Sequence, residues 1–346
     1  MRHRTGRVLL AFGVMVALLF VACTGDDEET ATPDPTSEPT TVATEELTAA
    51  PTEAATEEPT AEPTAEPSAF PLTVRDLLGR EVTFEAAPQT IITTSPSAIE
   101  VLYAAGGTAV ARSETAVHPD GVEALPSIGP SYAPAFEAMI TMTPDLVIAD
   151  ASAQAHLAEA FGGALRGVPI VFIGAVGYDD VATSIRLIGQ VIGNDAEAET
   201  AAASMESALA DVEAAIAGMT APRVLIMNGG IDDFFVALPD SFVGDLVAKA
   251  GGDNVAEGQP ATGRFPGYTQ LSLEAILETD PEVILTITAG GPSLADLVLQ
   301  TDTYAGLTAV QDGRVHDIDL EVFLQAPGPR AADGLRELAR LLYGIE

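Results

Sequence analysis

The chain has 346 residues, enough for two ordinary domains, and carries 51 acidic against 15 basic side chains. A formal charge of −36 excludes nucleic acid, whose binding needs a cationic footprint, and excludes docking on anionic lipid through a basic patch. The one cysteine, Cys23, excludes an internal disulfide and a cysteine metal cluster.

Arg2, Arg4 and Arg7 precede an apolar run of 14 residues, Val8 to Val21, which is shorter than a comfortable membrane span. Phe20-Val21-Ala22-Cys23 then resembles a bacterial lipobox, with a small residue just before the cysteine, although Phe20 stands where Leu is usual. The pattern predicts a signal peptide over 1–22 and a lipid on Cys23, hence an extracytoplasmic protein anchored to the cell membrane. An uncleaved anchor and a secreted chain are the alternatives. Between Thr24 and Ser68 lie 13 acidic residues, no basic one and almost no large apolar side chain. Such a segment cannot bury enough surface to offset its chain entropy. Residues 23–69 are therefore expected to be a disordered acidic tether.

From Phe70 the chain reads as a folded body. Leu72–Val74 and Glu81–Phe84 flank Gly79 as a hairpin. Strands are expected at 89–93, 109–112, 145–149 and 169–173, alternating with helices after Ser95, after Ala133, over 152–161 and from Asp179 or Asp180 to Ile192. The strands are continuous apolar runs, which indicates a mostly parallel sheet covered on both faces. Residues 195–216 follow, rich in Ala, Glu, Leu and Met with no Gly or Pro. Asn194 or Asp195 can cap this helix and Gly218 lies past its end. At 1.5 Å per residue it spans about 33 Å, a stiff strut. The same grammar then returns, with strands at 223–227, 282–286 and 314–318 and helices at 241–250, 271–277, 294–299 and 331–343.

Two segments repeat. Phe136-Glu137-Ala138-Met139 precedes Pro144-Asp145-Leu146-Val147-Ile148, and Leu273-Glu274-Ala275-Ile276 precedes Pro281-Glu282-Val283-Ile284-Leu285. In both, Glu stands seven residues before Pro. Gly106-Gly107 and Gly251-Gly252 also recur, one pair per half. The fold class is therefore α/β: two Rossmann-like lobes, 70–192 and 219–346, with central mostly parallel sheets, joined by one long rigid helix within 193–218.

On these features, with Ser95–Gly107, Leu125–Asp150, Gly244–Val255, Gly267–Leu285 and Ala326–Arg330 as the best-matching stretches, the chain resembles the substrate-binding lipoproteins of ABC importers for iron chelates, haem and cobalamin. The resemblance covers about Pro71 to Gly344. It implies a two-lobed fold with a backbone helix, a metal chelate as ligand, an ABC permease with its ATPase as partner, and no intrinsic cofactor. It also implies that Glu137 and Glu274 dock onto arginines of the permease. A Glu in a first helical turn is equally served by the helix dipole. The chain is expected to be a monomer.

Ligands of open α/β sheets bind beyond the carboxyl ends of the strands. The loops there carry Ser95, Ser97, His118, Tyr132, Tyr178, Arg264, Tyr268 and Arg330, the candidate ligand contacts, with Phe234, Phe235, Phe265 and Phe323 nearby. Arg264 and Arg330 stand out because cations are scarce, though Arg330 is also placed to pair with Asp333. Asp179-Asp180, Asp232-Asp233 and the spaced His118, His156 and His316 show no metal-ligand motif. A Gly-x-Ser-x-Gly elbow, a P-loop and a dinucleotide fingerprint are absent. The expectation is a binding protein, not an enzyme, with a ferric siderophore ranked ahead of cobalamin and haem. A lipid-anchored hydrolase using His118 or His316, and a tethered sensor without transport, are the alternatives.

Overall fold

The computed structural model describes residues 70–230, 234–262 and 266–345. The leader, Cys23, the tether, Asp232, Asp233, Arg264 and Phe265 lie outside the described residues. The hairpin expected around Gly79 is β1 (Leu72–Arg75) and β2 (Glu81–Phe84), paired antiparallel.

The first lobe is built from β3 (Ile91–Thr93), α1 (Pro96–Ala104), α2 (Phe136–Thr141), β4 (Leu146–Asp150), α3 (Ala151–Gln154), α4 (Ala158–Ala164), β5 (Ile170–Ile173) and α5 (Tyr178–Ile192). Its sheet runs β3-β4-β5, all parallel, and every residue of these strands is buried. That double-sided burial is what continuous apolar strands require. The strand expected at 109–112 is reduced to single parallel bridges, Ile92 with Ala111 and Arg112 with Ser127. The helix expected over 152–161 is broken by a 3-10 turn, Ala155–Leu157. Gln154 explains the break. Its fully buried amide donates to the Thr94 and Ser131 carbonyls, which draws the chain inward.

After α6 (Asp195–Ile216) come β6 (Arg223–Gly229), β7 (Phe234–Ala237), α7 (Phe242–Lys249), β8 (Asp253–Asn254), β9 (Tyr268–Thr269), α8 (Leu273–Thr279), β10 (Val283–Ile287), α9 (Leu294–Gln300), α10 (Thr308–Gln311), β11 (Val315–Asp317) and α11 (Ala331–Tyr343). The second sheet runs β11-β10-β6-β7-β9, with β8 also beside β6. β11, β10, β6 and β8 are parallel, whereas β7 and β9 are antiparallel. The antiparallel β7 was not expected from the sequence. It follows β6 after a link far too short for a parallel crossover, which needs a dozen or more residues.

The repeat persists in the backbone. Thr143 and Asp280, each just before its proline, both adopt positive φ, 47° and 41°. Asp145 then accepts from the Thr90 amide and Glu282 from the Arg223 amide. Thr90 and Arg223 each lie one residue before the first pair of a parallel ladder, Ile91–Leu146 and Val224–Val283. In each lobe the acid after the proline therefore locks the amino end of its strand to the neighbouring strand. Gly106 and Gly251 end α1 and α7 alike, both with φ of 79°.

The bounds of α6 match the strut expected from composition. Asn194 leads it but makes no side-chain cap; its Nδ2 donates to the Gly106 carbonyl and pins the helix start to the end of α1. The buried face is Ala198, Ala202, Met205, Ala208 and Val212, spaced by three and four residues. Small residues there let α5 lie close: a Cβ added to Gly189 would sit 2.2 Å from the Ala198 Cβ. α6 packs on α5 at one end and α11 at the other. One hydrophobic cluster runs through α1, α5, α6, α7 and α11, so the lobes share a core rather than hang from a bare strut.

Candidate functional site

A cleft of about 640 Å³ opens where the two lobes meet. Glu100, Tyr103 and Ala104 of α1 form one wall; His118, Pro119 and Asp120 form another; Pro329 and Arg330, at the entrance to α11, form the third. A further hollow of about 310 Å³ lies between α6 and α11, on an outer helical face away from the strand ends.

The loop that carries His118 is moulded around a buried arginine. Arg112 Nη1 donates to the carbonyls of Ser113, Glu114 and Ala116 at 2.9 Å each, and Nη2 donates to that of Glu123 at 3.2 Å. The guanidinium thus gathers a loop that has no regular ladder to hold it. His118 then reaches across to the other lobe, with Nε2 3.4 Å from Glu321 Oε2. Glu321 opens a π-helical turn, Glu321–Gln325, between β11 and α11.

Arg330 makes a two-pronged pair with Glu100, Nε to Oε2 at 3.0 Å and Nη2 to Oε1 at 2.7 Å, and Nη2 also meets Glu321 Oε2 at 3.3 Å. Burial opposes the charge of Arg330, but the bonds to Glu100 and the fields of Glu100, Glu321 and Asp319 outweigh it and hold the pKa above its ordinary value. The Asp333 partner considered from the sequence is taken by Arg336 instead, at 2.9 Å. Asp333 lies one turn into α11 and faces away from the cleft pair.

At the carboxyl ends of β3 and β4 lies a polar floor. Gln154 Oε1 accepts from the Thr94 hydroxyl and the Asp150 amide. Asp150 is fully buried and caps α3 through the Ser152 and Ala153 amides. Desolvation raises its pKa, only partly countered by those amides and by the nearby Ser97 and Ser152 hydroxyls. Among the described residues Ser97 Oγ has no partner with hydrogen-bond geometry, although it lies close enough to favour the Asp150 carboxylate.

Of the expected contacts among the described residues, the structure brings together His118 and Arg330 on the cleft wall and places the others elsewhere. Ser95 is buried and its Oγ accepts from the Ala98 amide, so that oxygen caps α1. Tyr178 is buried in the shared core and its hydroxyl donates to the Met205 carbonyl of α6, which leaves it no face for a ligand. Burial pushes its phenol up to about 12. Tyr132 is 75% exposed on the loop before α2, outside the cleft wall. Tyr268 heads β9 and packs against the shared core, and burial pushes its phenol up to about 12. Phe323 is fully buried. Arg264 lies outside the described residues. Glu100, Tyr103 and Glu321 were missed by sequence reasoning. Glu100 had a usable signal: it is the one charged residue in the otherwise apolar α1.

Glu137 and Glu274 occupy the first turns of α2 and α8, both exposed, and neither carboxylate has a partner among the described residues. One turn on, each helix also exposes an aliphatic side chain, Ile140 at 48% and Leu277 at 38%. The two lobes thus present the same acid and apolar pair.

The sequence profile of the periplasmic binding protein family matches residues 91–322, and the chain belongs to that family. It is a solute-binding protein of the extracytoplasmic space and not an enzyme. It is 28% identical over 281 residues to the ABC transporter substrate-binding lipoprotein YvrC of Bacillus subtilis, covering 79% of this chain and 86% of YvrC. It is 26% identical over 284 residues to the cobalamin-binding protein of Halobacterium salinarum, covering 79% and 74%. A crystal structure of a periplasmic haem-binding protein from Pseudomonas aeruginosa superposes with a TM-score of 0.63 at 26% identity, covering 74% of this chain and 93% of that one.

Proposed function

We propose that the chain captures a metal chelate in the interlobe cleft and delivers it to an ABC permease. The observation that carries this is the cleft itself, walled by both lobes and held by ion pairs between them, in a chain similar to substrate-binding and cobalamin-binding proteins. The similarity to cobalamin-binding proteins sets a corrinoid beside the ferric siderophore that sequence composition favoured. Haem ranks third, because Tyr103 is the one aromatic side chain in the described cleft wall and the chain has no Trp. Of the eight contacts expected from the sequence, His118 and Arg330 are retained, joined by Tyr103, Asp120 and Glu321.

In this reading Glu137 and Glu274 meet the permease. Matched acids on two similar lobes suit a partner with two similar faces. Lipid on Cys23 and the tether of 23–69 hold a monomeric body near the membrane. Native mass spectrometry with an absorption spectrum, after exposure to cobalamin, haem and several ferric siderophores, tests the proposal. Retention of one coloured chelate at 1:1 is expected. Silence toward all of them would remove the ligand assignment.

A further inference from the structure

We infer that the cleft selects chelates by charge, accepting neutral or cationic complexes and rejecting those that carry free carboxylates. The inference rests on the cleft being the ligand site. Arg330 is the one full cation of the described cleft wall, and it is already bracketed by Glu100 and Glu321. Asp120 adds a carboxylate at the rim and Asp319 adds its field on Arg330. Setting His118 aside, Glu100, Glu321 and Asp120 leave an excess of two negative charges over Arg330.

A ligand carboxylate is left with Nη1 of Arg330, because Glu100 and Glu321 already hold Nε and Nη2. Glu100 is held on Arg330 through both of its carboxylate oxygens. Its side chain is 5% exposed, and Gly328 sits over it so closely that an added Cβ would be 3.2 Å from Oε2. At that position the anion also lies close to Glu321, whose Oε2 sits on both Arg330 and His118. Each negative group of a chelate therefore meets net repulsion in a half-enclosed site, where screening is weaker than in bulk water. A neutral corrinoid or a cationic ferric trihydroxamate meets none, and a cation gains from Glu321 and Asp120.

The test uses the full chain and two ligand pairs that differ in charge on one scaffold. One pair is cyanocobalamin and its monocarboxylic acid derivative. The other is a cationic ferric trihydroxamate and the same complex succinylated to an anion. Kd is measured for each, and again in Glu321→Gln and Asp120→Asn, which keep the side-chain shapes. The uncharged or cationic member is expected to bind on the order of 10- to 100-fold more tightly. The gap should narrow in either variant, mainly through better binding of the anion, and should shrink with added salt. Equal or tighter binding of the anion, or a gap unchanged in both variants, would overturn the inference while leaving the cleft a chelate site. No binding by any of the four would overturn the chelate reading itself.

Discussion

Glu100 and Arg330 stand 230 positions apart in the chain and meet in a bidentate ion pair of 2.7 and 3.0 Å that joins α1 of the first lobe to the start of α11 in the second. The pair does not act alone. His118 meets Glu321 across the same junction, Lys249 meets Asp179 at 2.9 Å, and Asp245 accepts from the Tyr178 amide at 2.7 Å. With a shared core behind them, these bonds leave little freedom for a wide hinge. Removing one partner strands the other carboxylate in a nearly dry place. Arg330→Met is expected to cost about 2–4 kcal/mol in urea denaturation, discounted from a fully buried pair because Arg330 is 27% exposed. The double variant Glu100→Gln, Arg330→Gln should recover part of that loss. A single variant as stable as the parent would show that the pair contributes nothing.

Arg112 positions rather than contacts. Its guanidinium satisfies four loop carbonyls, and an apolar replacement would leave them without their donor. Arg112→Met is expected to weaken chelate binding at least 10-fold by releasing the His118 loop, with amide exchange over 113–123 rising in the free protein. Unchanged exchange there would remove the loop-moulding role.

α5 and α6 approach each other closely at Gly189 and Ala198. Gly189→Leu must force the two helices apart, since even a Cβ meets Ala198 at 2.2 Å. A loss of about 1–3 kcal/mol or more is expected, as for other overpacked cores. Small-angle scattering should show a changed lobe arrangement if the variant remains folded.

Asp150 gives a pH signature. Desolvation raises its folded pKa above the unfolded one, so the folded state binds more protons in that window. Stability from this group is complete below the unfolded pKa and is lost as pH rises through the folded pKa. Asp150→Asn keeps the cap acceptor without the charge. Its stability relative to the parent should therefore rise as pH increases through the folded pKa and level off above it. A difference that is flat with pH would contradict the buried-charge account.

Much of the fold was legible because its signals are local. Helix α6 announces itself by composition and by the Gly and Asn at its ends. The repeat of Glu, Pro and acid marks two strands whose amino ends Asp145 and Glu282 tie down in the same way. Of the contacts expected from the sequence, His118 and Arg330 line the described cleft wall. Glu100 acquires meaning from Arg330 and Glu321 from His118, each more than two hundred residues away in the chain, which no periodicity records. Tyr178 misled for the opposite reason. It follows a strand, as ligand residues do, but it is the first residue of α5 and turns inward onto α6.

The paired Glu137 and Glu274 give a separable prediction. Glu137→Arg with Glu274→Arg should abolish uptake in cells while leaving Kd for the chelate within about two-fold, because both carboxylates are exposed and take no part in the ion pairs that hold the lobes. Ile140→Ser with Leu277→Ser should reduce uptake in the same direction, since these side chains share the exposed faces. Loss of chelate binding in the charge-reversal variant would sink the docking assignment.

The most direct measurement of the central claim is amide exchange of the full chain with and without saturating cyanocobalamin, or whichever chelate native mass spectrometry retains. The account predicts protection concentrated in 113–123 and 319–330, with α2 and α8 unchanged. Protection confined to other surfaces, with these two loops unaffected, would contradict the interlobe cleft as the binding site.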